Sequence, residues 1–400
     1  MTAPTATSSA LPSSRQRAGA RTHVPVQMIP KGAQMQVGGT LLADTTYQPG
    51  DVDRANQRFV KILEELCDVV ARQPDGLAPL DDATCRDFRR RLVEVGNEAY
   101  SMLPDGVGDF LTAYERREGG HGISLSFTFP AEMAFVWEMM YAADPDDPPA
   151  WDAFWGFRYP TGHLYWNTLP SPTVNAGGGI FASSHADLAH SAREIDQLEH
   201  KLGALKQRFG VEVGLERLET SLGRKAPQDW NVLADFGDPD FRFGVVHFAC
   251  HCASSAAEGA LEAYLVLTAH EREIEMRAGQ FLGRKKKGFR HSPLVFLNAC
   301  ASGTPLHLLQ SFKLPETLVR FGAGGVIATA CPVPDNFAGA FAAEFYDQLL
   351  LRCQQIDEFP TYVGDALLAT RLHFLRAHNN PLGLAYGLYA MSNQRLDLRP

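Results

Sequence analysis

The chain has 400 residues, of which 45% are hydrophobic and 21% are charged. This composition is typical of globular proteins and excludes disordered, collagenous and coiled-coil classes. The net charge of −9 gives no general attraction to phosphate backbones or anionic membranes, so neither nucleic acid nor membrane is an expected partner. Seven cysteines, an odd number in a long chain, favour reduced thiols in the cytoplasm over a disulfide framework.

The first residues of the chain have the composition of a flexible tail. Residues 1–45 are rich in Ser, Thr, Ala, Pro and Gly, and four basic residues precede the first acid, Asp44. Because the segment lacks the apolar core of a signal peptide, we expect a disordered tail. An organellar transit peptide, which is also rich in Arg and Ser and poor in acids, is the alternative.

Apolar side chains at helical spacing follow the tail. A first helix is predicted from Asp53, and its stripe consists of Phe59, Ile62, Leu63, Leu66 and Val70. A second helix is predicted over Asp82–Met102, and it stops before Pro104. We therefore assign residues 46–120 to a helical N-terminal extension.

Strand and helix patterns alternate through residues 121–400, which we assign to one domain. The run Ile123–Phe129 is β-prone, and an amphipathic helix is predicted over Leu188–Phe209. Further strands are predicted at 211–215, 243–250, 261–268, 294–300 and 325–330, and further helices at 336–352 and 362–377. Such alternation predicts an α/β fold with a largely parallel sheet and helices on both faces.

Two of the predicted strands run directly into residues that carry chemistry. The strand that begins at Phe243 leads into His251, and the strand that begins at Leu294 leads into Cys300. Working residues of parallel α/β sheets gather beyond the carboxyl ends of the strands, so these two side chains are expected to meet. A thiol attacks as its thiolate, and an imidazole beside it accepts the proton or forms an ion pair. His251 and Cys300 are therefore the candidate catalytic pair.

The segments around this pair resemble a known family. His247–Cys252 and Leu294–Gly303, followed by GAGGVIATACPVPD at 322–335, are similar to the CHAT family of caspase-like cysteine peptidases. Pro130–Tyr141 resembles the family's Pro-Trp-Glu region, and Asn380–Met391 resembles its closing strand. The resemblance implies a caspase-like three-layer sandwich around a mostly parallel sheet.

The resemblance also implies roles for single residues. His251 would be the general base or ion-pair partner, and Cys300 would be the nucleophile that forms a thioester acyl-enzyme. The backbone N–H groups of Cys252 and Cys300 would stabilise the oxyanion. Asp335 aligns with an acidic position that shapes the pocket for the residue before the cleaved bond, which would favour Arg or Lys there. The alternative for Asp335 is a cap on the helix that begins at Asn336.

This chain departs from the family pattern at two positions. Cys252 stands where family members usually have Gly after the histidine, and Cys331 stands where they often have Trp. A side chain at position 252 could narrow the site or change the backbone angle. A catalytically inactive scaffold or interaction module is therefore the alternative function.

A zinc site is the other interpretation of this histidine- and cysteine-rich stretch. His247, Cys250, His251 and Cys252 cluster in sequence, but neighbouring residues of a strand point to opposite faces and cannot converge on one ion. We predict no metal and no cofactor.

The sequence thus predicts a cytoplasmic cysteine endopeptidase that cleaves protein substrates. The family resemblance implies regulation by an activating or sensor protein, as in bacterial conflict or cell-death systems. The basic loop Arg284–Gly288 is a candidate site of self-cleavage. The alternative is a loop whose basic residues only face solvent. Another kind of thiol hydrolase is a third possibility.

Overall fold

A computed structural model gives the fold of most of the chain. It describes residues 21–29, 34–42, 49–73, 77–117, 122–130, 134–143, 147–166, 168, 171–222, 232–257, 260–282, 288–301, 308–351 and 361–398. Of these, the side chains of residues 29, 34, 41, 49, 234, 254–257, 260–263, 282, 299–301 and 308–312 are not described. Statements below about contacts refer to the described residues.

The strands are short except in the centre of the molecule. They are β1 Thr22–Ile29, β2 Gln34–Val37, β3 Thr40–Leu42, β4 Ile123–Phe129, β5 Thr161–Tyr165, β6 Thr173–Asn175, β7 Ile180–Ser184, β8 Leu215–Arg217, β9 Val245–Ala257, β10 Ala260–Ala269, β11 Arg272–Arg277, β12 Leu294–Ala301, β13 Gly325–Thr329, β14 Thr361–Tyr362, β15 Tyr386–Tyr389 and β16 Arg395–Asp397. The strand predicted at Ile123–Phe129 is confirmed.

The helices lie between these strands. They are α1 Pro49–Ala71, α2 Asp82–Ser101, α3 Val107–Arg117, α4 Trp155–Arg158, α5 Ser191–Phe209, α6 Leu218–Leu222, α7 Val232–Phe236, α8 Ala278–Leu282, α9 Leu308–Arg320, α10 Asp335–Tyr346 and α11 Val363–His378. Local chemistry sets several ends: Asp81 accepts from the N–H groups of Ala83 and Thr84 at the start of α2, and Gly210 ends α5 with φ of +70°.

The first sheet contains five strands in the order β3-β2-β1-β4-β5. Strand β1 runs parallel to β4 and antiparallel to β2. The prediction of a disordered tail over 1–45 is therefore wrong for these strands. The missed signal is period-two alternation, in which Val24, Val26 and Met28 are buried at every second position. This sheet also joins strands from both sides of the predicted boundary at residue 120.

The central sheet contains eight strands, and its core is parallel. Strands β7, β9, β12 and β13 are parallel neighbours, while β10, β11 and β15 are antiparallel at the two sides. Helices α5 and α10 pack on one face, where Glu194 and Ala338 both accept from the Asn298 amide. On the other face, Phe236 of α7 contacts Phe248 and Phe289. The predicted α/β class with a mostly parallel sheet covered on both faces is confirmed.

Several predicted boundaries are wrong by a few residues. The strand predicted at 211–215 lies at Leu215–Arg217, and the helix predicted from Leu188 begins at Ser191. Helix α10 ends at Tyr346 and is followed by a π-helical turn, Asp347–Leu351. The strand predicted to end at Cys250 continues to Ala257, because β9 pairs with β10 from His251 to Ala257, beyond the ends of its parallel neighbours. His251 therefore lies inside a long strand.

Candidate active site

His251 lies where β9 changes its neighbour on one side. Strand β7 pairs with β9 as far as Ser184 opposite Ala249, and β10 takes over with Val266 opposite His251. The half-buried side chain of His251 therefore lies at the position where β10 replaces β7 as the neighbour of β9. This is the break in a parallel sheet where functional side chains gather.

Cys300 lies on the other side of His251 in the backbone register. Strand β12 runs parallel to β9, and Cys300 is the position opposite His251, one residue before β12 ends. The two backbones are therefore direct neighbours although the residues are distant in sequence. The small residues Ser302 and Gly303, which follow the cysteine, lie outside the described residues, as do residues 284–287 of the basic loop.

A buried polar cluster lies on the α5 and α10 side of these two strands. Asn298, two residues before Cys300, donates to Glu194 Oε1 at 2.6 Å and accepts from the Tyr386 hydroxyl at 2.7 Å. His247, four residues before His251, lies with Nε2 2.8 Å from Glu194 Oε1 and Nδ1 3.0 Å from the Tyr346 hydroxyl. Burial, and then the Glu194 charge, raise the pKa of Tyr346 well above its usual range. We call Glu194, His247 and Asn298 the Glu194 cluster.

Sequence reasoning missed this cluster. Asn298 and His247 are the polar interruptions of two apolar strands, and this pattern was available in the sequence. Glu194 gave no signal, because a carboxylate on an amphipathic helix usually faces water. Only the packing of α5 against the sheet brings it to the strands.

A second histidine contacts the candidate base. The rings of His185 and His251 meet edge to face with centroids 4.4 Å apart. His185 follows β7 directly, is 3% exposed, and accepts the N–H of Asp187 at its Nδ1. Burial, and then the neighbouring His251, lower the pKa of His185. His185 was also missed, because nothing in its local sequence marks the end of β7 as part of the site.

His185 also belongs to a group of three possible metal ligands. Its ring and the carboxylates of Asp187 and Glu273 bring their ligand atoms within 4.8 Å of one another. Since His185 Nδ1 accepts a backbone N–H, the neutral ring carries its proton on Nε2, which lies 3.7 Å from Glu273 Oε1. That nitrogen presents a hydrogen, and both carboxylates are exposed. The arrangement does not fit a metal ion.

Cys252, the departure from the family pattern, is enclosed in the sheet. It pairs with Leu265 on one side and with Ala301 on the other, and its side chain is buried. Burial raises the pKa of the Cys252 thiol to about 12, so this thiol stays protonated. Cys252 is therefore a poor nucleophile, and its N–H group faces a neighbouring strand.

Asp335 does not cap the helix that it begins. The residue before α10 is Pro334, and no side chain caps this end. The Asp335 carboxylate instead accepts the backbone N–H of His190 at 2.8 Å, so it joins the start of α10 to the start of α5. The prediction that Asp335 caps this helix is therefore wrong. The Asp335 side chain is half-buried.

None of the described helices is both long and apolar enough to cross a membrane.

Among curated proteins, the chain is similar to a "probable protease" of Vitiosangium sp. (strain GDMCC 1.1324), with 36% identity over 105 residues, which are 26% of this chain and 13% of that protein. The chain thus matches only a small part of that relative's length.

Two solved structures share a broad similarity. Saccharomyces cerevisiae separase, in its complex with securin, is 11% identical, with 88% of this chain and 23% of separase covered and a TM-score of 0.39. The Arg-specific cysteine proteinase gingipain R is 10% identical, with 75% and 70% covered and a TM-score of 0.41. Similarity at this level decides neither fold nor function. A family model described as the CHAT domain matches residues 145–395, more than half of the chain, and the protein therefore belongs to the CHAT domain family, as its motifs around His251 and Cys300 predicted.

Proposed function

We propose that this protein is a cysteine endopeptidase that cleaves protein substrates in the cytoplasm, with Cys300 as nucleophile and His251 as its acid–base partner. The observation that carries the proposal is the strand register, in which the backbones of Cys300 and His251 are directly opposite. The partial exposure of the His251 side chain supports it, because a substrate needs access to the pair.

The proposed reaction proceeds through an acyl-enzyme. The Cys300 thiol gives its proton to His251 as the sulfur bonds to the peptide carbonyl carbon. His251 returns that proton to the leaving amine when the C–N bond breaks, and water then cleaves the thioester and restores the thiol. The N–H groups of Cys300 and Cys252 are the proposed oxyanion donors. For Cys252 this role requires that its N–H group leave the strand ladder.

Asp335 is the proposed determinant of substrate choice. Its carboxylate already accepts one backbone N–H, and a carboxylate can accept further hydrogen bonds from an Arg or Lys side chain. We therefore expect cleavage after Arg or Lys, and Asp335→Ala should erase that preference.

An activating or sensor protein and self-cleavage within 284–288 remain predictions of the family resemblance. Appearance of two fragments that meet at this loop, absent in Cys300→Ala, would support self-cleavage.

A proteome-wide cleavage-site profile tests the proposed function. The chain, with and without candidate activating proteins, is added to a cell extract, and new peptide N-termini are compared with those produced by Cys300→Ala. We expect sites that depend on Cys300 and share one residue type before the cleaved bond. Identical profiles for the two chains under every condition would reject the peptidase.

A non-catalytic scaffold is the second candidate function. The observation that favours it is Cys252, whose side chain is buried and whose backbone is paired on both sides. If this geometry closes the oxyanion site, Cys252→Gly should create or raise Cys300-dependent cleavage. If Cys252→Gly changes nothing in an active chain, the residue is neutral and the scaffold loses its support.

A further inference from the structure

The contact between His185 and His251 lies inside the proposed active site but has no role in the reaction described so far. The rings are 4.4 Å apart between centroids, with planes at 65°. His251 Nδ1 and His185 Nε2 are both buried, and neither has a hydrogen-bond partner among the described residues. A base whose second nitrogen lacks a partner needs another means of holding its ring.

Hydrogen bonds to β9, β10 and α5 hold the segment that carries His185. The His185 N–H donates to the Ala249 carbonyl at 2.9 Å, and the next N–H, of Ala186, donates to Thr268 Oγ1 at 3.2 Å. The His185 carbonyl accepts the Ser191 hydroxyl at the start of α5. With its Nδ1 also occupied by the Asp187 N–H, the His185 ring has a defined position and a defined tautomer.

Charge then decides how the two rings share protons. Two imidazolium rings in contact repel each other, and burial disfavours the charge on His185, which is almost fully enclosed. The acidic groups that face His185 are Asp187 and Glu273, and both are exposed, with 66% of the Glu273 side chain accessible. Their charges are screened by water. The two strands beside His251 place no charged residue opposite it: the position on β10 is the apolar Val266, and the position on β12 is Cys300. The Asp335 carboxylate accepts the backbone N–H of His190, five residues after His185.

We propose that His185 is a positioning residue that contacts His251 as a neutral ring, so that His251 alone exchanges the proton of the proposed reaction. This inference rests on the proposed function, since it assigns His185 to the base of that reaction. A neutral neighbour holds the His251 ring without competing for the proton that passes between sulfur and leaving group. It also leaves His251 free to become imidazolium, because a neutral neighbour adds no like charge.

Titration of the two rings by NMR tests the proposal without any need for activity. Histidine-labelled Cys300→Ala is followed between pH 5 and pH 8, and signals are assigned from His185→Asn and His251→Asn. We expect the His185 ring to stay neutral over this range. In His251→Asn the midpoint of His185 should rise, because the like charge is gone. His190, in the same connection before α5, is the matched control and should not change.

Two results would overturn the inference. One is that the rings of both His185 and His251 are protonated at pH 6 in Cys300→Ala. The other is a His185 midpoint that is the same with and without His251. The first result is read in Cys300→Ala, and His185→Phe assigns the His185 signal as well if His185→Asn folds poorly.

Activity gives an independent readout in the unsubstituted enzyme. His185→Phe keeps a neutral ring against His251 and should retain kcat within about threefold. His185→Leu should lower kcat about tenfold with an unchanged KM, which is a small part of the roughly 10²–10⁴-fold that acid–base catalysis contributes. Equal loss in both variants would contradict the ring contact. Absence of any cleavage by the unsubstituted chain would instead reject the proposed peptidase and leave the NMR result standing.

Discussion

Two buried glutamates show how differently this fold treats an internal charge. Glu138 accepts from Thr161 Oγ1, His163 Nε2 and Arg371 Nη2 at 2.9–3.0 Å, and we call these four residues the Glu138 cluster. Arg371 also donates to the Tyr386 carbonyl, so this cluster joins β5 of the first sheet to β15 of the central sheet. The Glu194 cluster, beside the strands that carry His251 and Cys300, consists of a carboxylate, an imidazole and an amide.

The two clusters differ in that the Glu138 cluster contains a permanent cation, Arg371. Burial alone would raise the pKa of Glu138, but His163 and Arg371 outweigh it and lower the pKa to about 2. Arg371 is 1% exposed, so it also depends on Glu138 for its counter-charge. The Glu138 cluster is therefore a fixed ionic link between the sheets. The Glu194 cluster joins α5 to β9 and β12 through contacts of Glu194 with Asn298 and His247, and we expect it to tolerate loss of its charge.

The same substitution in each cluster tests this comparison, and the larger effect is expected for Glu138→Gln. It leaves the Arg371 guanidinium buried without its counter-charge, which should lower the free energy of unfolding by about 3–5 kcal/mol. Denaturant unfolding at pH 7 measures this. The control is Glu115→Gln, whose partner Arg158 is 36% exposed, and which should cost less than about 1 kcal/mol. Similar losses in both variants would refute the ionic link.

The free energy of unfolding should depend on pH through the charge of Glu138 in the Glu138 cluster. The carboxyl group has a folded pKa of about 2 against an ordinary 4.5, so its contribution is complete above pH 4.5 and is lost as the pH falls from 4.5 towards 2. The difference in unfolding free energy between the unsubstituted chain and Glu138→Gln should shrink over this range by about 3 kcal/mol. A difference that stays constant with pH would contradict the assigned charge state.

Glu194→Gln should have a smaller effect. The glutamine oxygen can still accept from Asn298, and the other contact made by the lost charge is to His247. We expect a loss of about 1–3 kcal/mol, the cost of weakening a buried hydrogen-bonded group. Thermal or denaturant unfolding beside Glu138→Gln gives the ranking. A loss as large as that of Glu138→Gln would show that the Glu194 cluster is ionic too.

Asp335→Ala should have the smallest effect on stability. It removes the acceptor of one backbone N–H, that of His190, at a half-buried position, and we expect a loss of about 1 kcal/mol. Asp335→Asn keeps a side-chain oxygen and should lose less. If Asp335→Asn is as unstable as Asp335→Ala, the charge and not the hydrogen bond holds α5 to α10.

The predictable part of the site depended on signals that are local in sequence. His251 and Cys300 each follow an apolar run of strand length, so their meeting could be inferred from the geometry of parallel sheets. The continuation of β9 to Ala257 could not, because residues 253–257 read Ala-Ser-Ser-Ala-Ala and carry no apolar periodicity. Its cause is the pairing with β10.

Other parts of the structure needed tertiary information or a more careful examination of the sequence. Strand β1 was predictable in principle, since Val24, Val26 and Met28 alternate, but the basic and Ser-rich residues before it dominated the composition. Glu194 and His185 were not predictable, because each reaches the site only through the packing of α5 or the end of β7. A buried carboxylate and a buried imidazole look like surface residues in the sequence.

The most direct test of the Cys300–His251 pair is to map which cysteine reacts with a peptide bearing a thiol-directed electrophile, by mass spectrometry of the intact and digested protein. The account predicts modification of Cys300 in preference to the other six cysteines, with loss of this selectivity in His251→Ala and its retention in His190→Ala. Labelling spread over several cysteines, or Cys300 labelling that is unchanged in His251→Ala, would contradict it.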